Sequence, residues 1–387
     1  MKPSPQGLIV LAGSILLMLL LGSVHAFSVF LEPIEGTFGV SRASSSITYS
    51  LSLIAITVVV LNGHHIFRRL NPVRLAIAVC LVAGAGGLMA AFAGHILFVW
   101  IGYGLLFGAA NGLGYACALQ FSAQANPRMS GGAMGVVTAA YGLGAAVAPL
   151  PLFALLTAYG FEGGMIGLAV SLFAIAPVVA FLYARSGRTL AVEEEEGGSG
   201  TPATRGDLIR LWTAYGTAVF SGLMVIGHAT GIARAAGLEP ALSYVAPIVI
   251  ALANVVGSLL GGYLVDALGP RRLLTTVALV SILSMIAMYL WPEPAVTLAA
   301  LGGAGFAYGA TIAAFPAAIS KTYGPVAGIR VYGKVFTAWG TAGLLAPWSA
   351  GILFEMTGAY TLTLLLALLF GLGSVVAIFC MPRADQS

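Results

Sequence analysis

The chain has 387 residues, of which 59% are hydrophobic and only 8% are charged. An ordinary soluble domain carries roughly 25% charged residues, so this chain cannot cover a water-exposed surface of its size. The composition therefore excludes a soluble enzyme and predicts an integral membrane protein.

Apolar stretches of about 20 residues, the length needed to cross a bilayer as a helix, recur along almost the whole chain. They lack the two-residue alternation of barrel strands, so we predict helices and an all-α membrane fold of twelve transmembrane helices in two pseudo-symmetric six-helix bundles. The predicted spans are 7–31, 43–66, 74–94, 96–122, 131–158, 161–184, 209–235, 241–266, 271–291, 294–320, 329–355 and 359–381.

The basic residues fall almost entirely on one side of these predicted spans. Of 17 lysines and arginines, only Arg42 and Arg234 fall on the opposite side. Cytoplasmic loops of membrane proteins are enriched in Lys and Arg, so we predict an inner-membrane protein with both termini in the cytoplasm. The formal charge of +4 is thus a topology signal and does not indicate nucleic-acid binding.

No motif for catalysis or for a cofactor is found in the sequence. Cys80, Cys117 and Cys380 all lie in predicted spans, have no metal-type spacing and are interpreted as buried apolar side chains. A phosphate-binding glycine loop is missing, as is a nucleophile and base pair at helical spacing. We expect no metal, no cofactor and no enzymatic activity, so any transport is driven by a gradient or by exchange.

One long polar segment, 185–208, divides the chain. It contains the acidic run Glu193–Glu196 followed by a glycine-rich stretch, which is typical of a flexible linker. We therefore predict an N-terminal bundle at 1–184, a cytoplasmic linker at 185–208 and a C-terminal bundle at 209–387. The acidic run is more simply a solvated tether than a regulatory element.

The two halves resemble each other as repeats. Glycines and prolines recur at nearly constant offsets in the corresponding helices, which indicates an internal duplication. The matched pairs are Gly135 and Gly333, Gly142 and Gly340, and Pro149 and Pro347 at an offset of 198 (333 − 135), with Gly104 and Gly305, and Gly108 and Gly309, at an offset of 201 (305 − 104).

The loop after the eighth predicted helix carries a recognisable pattern. Residues 262–272 read GYLVDALGPRR, which resembles the G-x-L-x-D-x-x-G-x-R-R signature of the major facilitator superfamily. Asp266 at a helix end can accept hydrogen bonds, while glycines permit close packing and a tight turn. The resemblance implies a conformational latch formed by Gly262, Asp266, Gly269, Arg271 and Arg272.

Polar residues at membrane depth are costly and are therefore candidates for the substrate path. In the first half these are His25, Asn111, Tyr115 and Tyr141, and Asn111 and Tyr115 share one helix face because they are four residues apart. The alternative for each residue is a hydrogen bond between helices that involves no substrate. The candidates in the second half are His228, Asn254, Ser258, Tyr308 and Trp339.

The histidines have a special chemical role among these candidates. His25 and His228 both precede an alanine in the first helix of a half, at an offset of 203 (228 − 25), and are predicted to face each other across a pore. Because histidine titrates near physiological pH, the pair can bind a carboxylate when protonated and release it when neutral. The alternative is that each histidine only joins two helices.

Three segments point to a branch of the superfamily. Residues 26–33 read AFSVFLEP, 222–228 read GLMVIGH and 336–340 read FTAWG. These segments resemble the oxalate/formate antiporter family and the related monocarboxylate transporters. The resemblance implies a small organic anion as the substrate, typically a monocarboxylate, moved with a proton or exchanged for another anion. We also expect the protein to work in the bilayer as a monomer.

The sequence departs from that branch at two positions. Many relatives have an arginine four residues after Asn254, where this chain has Ser258, and oxalate carriers have a lysine where this chain has Trp339. We therefore expect a monocarboxylate and not a dicarboxylate. Two alternatives stay open, namely a proton-driven exporter of lipophilic or neutral compounds and a membrane sensor that transports nothing.

Overall fold

The computed structural model describes residues 5–67, 71–126, 130–189, 203–323 and 325–382. The regular structure in these ranges is helical throughout, so the predicted all-α class is confirmed. The chain divides into two compact units, Met1–Glu194 and Glu195–Ser387. The acidic run Glu193–Glu196 and most of the predicted linker lie outside the described residues.

The first unit contains eight α-helices and two segments of different winding among its described residues. They are α1 (Pro5–Leu21), a 3₁₀ segment (Gly22–Phe30), α2 (Leu31–Phe38), α3 (Arg42–Phe67), α4 (Pro72–Ala91), α5 (Ile96–Val99), a π-helical segment (Trp100–Phe107), α6 (Gly108–Ala125), α7 (Ser130–Val147) and α8 (Pro149–Ser186).

The described part of the second unit contains seven α-helices and one short 3₁₀ turn. They are α9 (Arg205–Ile226), α10 (Ala229–Ala235), the turn (Pro240–Leu242), α11 (Val245–Leu268), α12 (Pro270–Leu290), α13 (Pro294–Tyr323), α14 (Pro325–Thr357) and α15 (Thr361–Phe379). Ten segments of the described chain are long and apolar enough to cross a membrane. Helices that follow one another without a loop are called rods here; α1, the 3₁₀ segment and α2 form the first rod of the first unit, and α9 and α10 form the first rod of the second unit.

The first rod is longer than the sequence predicts. We expected it to end at residue 31, whereas α2 continues to Phe38 and ends at Gly39, which adopts φ 62°. Glu35 is retained on this extension because Arg42, at the start of α3, donates a hydrogen bond to its carboxylate at 3.0 Å. A carboxylate that is paired with a cation can remain in a part-buried helix end where an unpaired carboxylate would be unfavourable.

The fifth and sixth predicted spans are joined in the structure by a bend of one residue. Helix α8 runs through both, and Gly160 within it adopts φ 67° and ψ −167°. This backbone region is essentially restricted to glycine. A glycine at this position therefore lets the chain reverse with almost no loop.

The two units share a packing pattern at the glycines that the repeat matched. A Cβ at Gly108 in α6 would lie 2.7 Å from the carbonyl oxygen of Ser52 in α3, and one at Gly309 in α13 would overlap the carbonyl of Asn254 in α11. The glycines differ by 201 and their partners by 202 (309 − 108, 254 − 52). The same pair of helices therefore touches through backbone in each unit.

The cysteine interpretation is correct at two of the three positions. Cys80 and Cys117 are buried, as predicted. Cys380 is exposed, because α15 ends at Phe379 and this cysteine forms the C-terminal cap beyond it. The prediction that Cys380 is buried was wrong, because the predicted last span extends beyond the end of α15.

Candidate functional site

The middle of the first rod is wound as a 3₁₀ helix of nine residues, Gly22–Phe30. Such runs seldom exceed three or four residues, since their hydrogen bonds are poorer than those of an α-helix. Neighbouring helices stabilise this one. The amide of Asn111 donates to the carbonyl of Leu21 at 2.6 Å, where the winding changes, and Gly22 lies so close to the Tyr141 carbonyl that no Cβ would fit.

His25 lies within this segment and contacts a set of aromatic and polar side chains. Its Nδ1 is 2.8 Å from the hydroxyl of Tyr49, and its ring meets the Tyr141 ring edge to face at 5.5 Å. Tyr141 donates its hydroxyl to Asn111 Oδ1 at 2.9 Å, and its ring packs on Tyr115 at 5.2 Å. The structure thus brings all four predicted residues of the first half together with Tyr49, and we call these five residues the His25 cluster.

The His25 cluster is open to a ligand at one defined atom. Among the residues that the structure describes, no hydrogen-bond partner is found for His25 Nε2, and the side chains of His25, Tyr115 and Tyr141 are only half-buried. Asn111, by contrast, is fully buried and holds partners on both sides of its amide. The cluster therefore has a buried side, where Asn111 is held by two hydrogen bonds, and an accessible imidazole nitrogen.

None of the five side chains in the cluster carries a fixed charge. An anion placed there would remain uncompensated, at a cost of several kcal/mol in a dry site, unless a cation accompanied it. His25 can supply that cation, because both nitrogens of a protonated imidazole donate hydrogen bonds. The arrangement can thus hold a proton and an anion together, or an uncharged molecule alone.

Tyr49 is the member of the cluster that the sequence analysis missed. It is buried, with 1% of its surface exposed, and stacks on Phe27 with ring centroids 5.4 Å apart and an angle of 5°. A signal was present, because residues 44–52 of the second span hold a dense run of hydroxyl side chains. Serine and threonine hydroxyls can bond to backbone carbonyls of their own helix, so a run of them is a weaker indication of a site than a histidine or an amide.

His228 has a different environment from His25. It is fully buried at the break between α9 and α10. Its Nε2 lies 2.9 Å from the carbonyl oxygen of Pro347, and its Nδ1 lies 3.3 Å from the hydroxyl of Tyr360. A carbonyl only accepts, so Nε2 carries the hydrogen and Nδ1 is left to accept from the tyrosine. His228 therefore connects the first rod of the second unit to α14 and to the start of α15.

Asn254 and Ser258 lie at the contact between α11 and α13. The Ser258 hydroxyl is 3.3 Å from Asn254 Oδ1 and 3.1 Å from the carbonyl oxygen of Gly309. Both side chains are half-buried. The pair supports the close approach of two helices at Gly309 and still presents polar surface.

Tyr308 and Trp339 form a bonded pair between α13 and α14. The indole Nε1 of Trp339 donates to the Tyr308 hydroxyl oxygen at 2.7 Å, and each residue is 6% exposed. Phe336 stacks on Trp339 at 5.3 Å and 8°. Gly222 of α9 provides the room for the Tyr308 ring, because a Cβ there would approach it to 2.7 Å.

The predicted latch is described only in part. Gly269 adopts φ 78° and ψ 152° at the start of α12, and Arg271 donates to the carbonyl of Met381 beyond α15 at 2.8 Å. Arg272 is exposed. The side chain of Asp266 and the surroundings of Gly262 lie outside the described residues. Arg271 thus ties the loop to the end of the last helix.

Comparison with known proteins places these features in a family context. No family model matches the chain. An uncharacterized MFS-type transporter, YhjX, of Escherichia coli K12 is 27% identical over 345 residues, covering 85% of this chain and 84% of that protein. The oxalate:formate antiporter of Oxalobacter formigenes is 25% identical over 396 aligned positions, covering 96% of this chain and 91% of that protein.

Solved structures show the same fold. A bacterial homolog of the human lysosomal transporter Spinster, in an inward-facing and occupied conformation, matches 98% of this chain and 96% of its own length with a TM-score of 0.74 at 16% identity. The nucleoside transporter NupG matches 97% of this chain and 98% of its own with a TM-score of 0.72 at 15% identity. The homologues of the chain are thus major facilitator transporters and not enzymes, and its fold is the twelve-helix fold of that superfamily.

Proposed function

We propose that the chain is a secondary active transporter that moves a small organic anion, a monocarboxylate, by proton symport or anion exchange through alternating access. The homology to an oxalate:formate antiporter over nearly the full length supports an anionic substrate. The His25 cluster carries the proposal, since it holds an accessible imidazole nitrogen among tyrosine hydroxyls and an amide. Ser258 and Trp339, which replace the basic residues of the relatives, favour one carboxylate over two.

The chemistry of the cluster favours joint movement of the anion and a proton. In the proposal, His25 takes up a proton and donates from Nε2 to the carboxylate, while Tyr49 stays bonded to Nδ1. The imidazolium and the carboxylate then cancel each other's charge, which removes most of the cost of holding either one in a dry cavity. Loss of the proton weakens the site and releases the substrate. Anion exchange is the variant in which His25 stays protonated throughout.

The proposal assigns different roles to the two histidines. His25 is half-buried and its Nε2 has no hydrogen-bond partner in the described part of the chain, so it is proposed to couple transport to protons. His228 uses both nitrogens in bonds to other helices, and we propose that it maintains the bend between α9 and α10. Proton coupling at His228, which the repeat suggested, would require one nitrogen to leave the Pro347 carbonyl or Tyr360 before it could donate to a substrate.

The remaining predicted residues have supporting roles in the proposal. Asn254, Ser258, Tyr308 and Trp339 are proposed to line the path in the second unit, where their amide, hydroxyl and indole groups can donate to a carboxylate. The loop from Gly262 to Arg272 is proposed as the latch of the major facilitator fold. The protein is proposed to act as a monomer in the inner membrane with cytoplasmic termini, which the one-sided distribution of basic residues supports.

One observation favours a second candidate function. The His25 cluster consists of three tyrosine rings, one imidazole and one amide, with no fixed charge. Such a site also suits a neutral or lipophilic molecule, because aromatic rings supply much apolar area and hydroxyls supply orientation. A proton-driven exporter of such compounds is therefore the alternative.

Uptake by the purified protein in liposomes tests the proposal. Radiolabelled formate, acetate, lactate and pyruvate are offered with and without an inward proton gradient, and oxalate serves as the dicarboxylate comparison. We expect uptake of at least one monocarboxylate that an inward proton gradient accelerates, or that preloaded monocarboxylate accelerates in the case of exchange. Flux of lipophilic compounds with no flux of any acid would reject the proposal in favour of the exporter.

A further inference from the structure

A cleft opens at the beginning of α9 against the adjoining face of α14, entirely within the second unit. Its cavity volume is about 240 Å³. The His25 cluster belongs to the other unit, so this cleft is distinct from the site proposed above. Its walls are formed by Arg205, Leu208, Ile209, Trp212, Lys334 and Val335.

The cleft has a cationic rim and an apolar wall. Arg205 and Lys334 are exposed, and neither has an ion-pair partner among the described residues. Below them, Ile209 is 63% exposed and Trp212 is 37% exposed. Large apolar side chains and cations that share one concave surface indicate a ligand with both an anionic part and an apolar part.

The surroundings keep this surface positive and rigid. Asp207, an acid of the described residues at the start of α9, is engaged by Thr204 in a capping box and lies 3.8 Å from Arg210. The Trp212 indole donates to the Thr337 hydroxyl at 3.0 Å, which fixes its ring as a wall of the cleft. The amino-terminal end of α9 also adds the partial positive charge of its helix dipole.

We propose that this cleft binds one anionic phospholipid. The phosphate lies between Arg205 and Lys334, and an acyl chain follows the apolar side chains Leu208, Ile209 and Trp212 into the bilayer. Tryptophan is favoured at the level of lipid headgroups, and basic pockets between transmembrane helices suit anionic headgroups. A soluble phosphate or carboxylate would use the two cations and leave the apolar wall unpaired, so the charge pattern favours a lipid.

Native mass spectrometry of the full-length protein in detergent tests this site. Phosphatidylglycerol, phosphatidylcholine with identical acyl chains and inorganic phosphate are titrated separately, and the dissociation constant of the first bound molecule is measured. The test variant is Arg205→Gln with Lys334→Gln. The matched control is Arg185→Gln with Arg188→Gln, which removes the same charge from exposed arginines at the end of α8.

The lipid site predicts a specific pattern. Phosphatidylglycerol binds the wild type more tightly than phosphatidylcholine does, the test variant weakens it on the order of tenfold or more, and the control variant changes it by less than about twofold. Arg205→Lys, which keeps the charge, retains binding. Equal phosphatidylglycerol binding by wild type and test variant overturns the proposal. So does inorganic phosphate that binds the wild type as tightly as phosphatidylglycerol does, since that result would mark a site for a free anion.

Discussion

The imidazole Nδ1 of His25 and the phenol oxygen of Tyr49 lie 2.8 Å apart and join the 3₁₀ segment of the first rod to α3. Because Tyr49 is held by stacking on Phe27, the histidine ring has a fixed hydrogen-bond partner at Nδ1. Its second nitrogen is then directed away from that partner. The cluster thus combines a constrained ring with an accessible atom, which is the geometry that a protonatable binding site needs.

Removing the Tyr49 hydroxyl tests this relationship. Tyr49→Phe keeps the ring on Phe27 but deletes the partner of His25 Nδ1, and hydrogen bonds to charged groups contribute about 1.5–3 kcal/mol. We expect the apparent affinity for the monocarboxylate to fall by roughly tenfold or more. The control is Tyr103→Phe, since Tyr103 is fully buried and its hydroxyl has no partner among the described residues. Equal loss in both variants would contradict the role of Tyr49.

Replacement of the two histidines separates coupling from stability. His25→Ala is expected to abolish the acceleration of uptake by an inward proton gradient and to lower the melting temperature less than His228→Ala does, because the half-buried His25 ring has one hydrogen bond among the described residues. His228→Ala is expected to lower stability by about 1–3 kcal/mol, since it deletes two buried hydrogen bonds. Residual uptake by His228→Ala should keep its response to the gradient. The opposite distribution of effects would move coupling to His228.

Asn111 is expected to be a structural requirement of the 3₁₀ segment. Asn111→Ala leaves the Leu21 carbonyl without its side-chain donor and removes the acceptor of Tyr141, at a cost of about 1–3 kcal/mol in unfolding free energy. Thermal unfolding in detergent measures this. Asn62→Ala is the matched control, because Asn62 is exposed and its amide donates to the carbonyl of Val58 in its own helix. A change in Asn111→Ala no larger than that in Asn62→Ala would refute the assignment.

Alanine substitutions at matched glycines test the shared packing of the units. Gly108→Ala and Gly309→Ala add a Cβ against the backbone of the neighbouring helix, and we expect each to cost about 1–3 kcal/mol. Gly135→Ala and Gly333→Ala place the Cβ in open space. These controls should be neutral or stabilise the helix by up to about 1 kcal/mol. Similar melting temperatures for all four variants would argue against backbone contact at Gly108 and Gly309.

Much of the fold could be predicted because the solvent is lipid. Most span ends agree with the sequence prediction to within a few residues, and the largest error, at Phe38, arose because the pairing of Glu35 with Arg42 is a contact between helices. The grouping of Asn111 and Tyr115 followed from helical spacing alone. They and His25 and Tyr141 were candidates for the substrate path only because polar groups are costly in lipid, and the contacts that join them come from the structure.

The equivalence of the two histidines could not be judged from the sequence. His25 and His228 occupy similar positions in the two halves, yet His228 is enclosed by the Pro347 carbonyl and Tyr360 from helices that lie more than a hundred residues away along the chain. Internal duplication predicts the position of a residue along its helix. The partners that fill the space around it depend on side chains that have diverged between the halves.

The winding of Gly22–Phe30 makes the direction of His25 depend on helix pitch. A 3₁₀ helix turns about 120° per residue and an α-helix about 100°, so rewinding the three steps from Gly22 to His25 would swing the imidazole by roughly 60° around the axis. The same rewinding over nine residues would shorten the rod by about 4–5 Å. The helix pitch of this segment therefore determines which neighbouring residues the imidazole can contact.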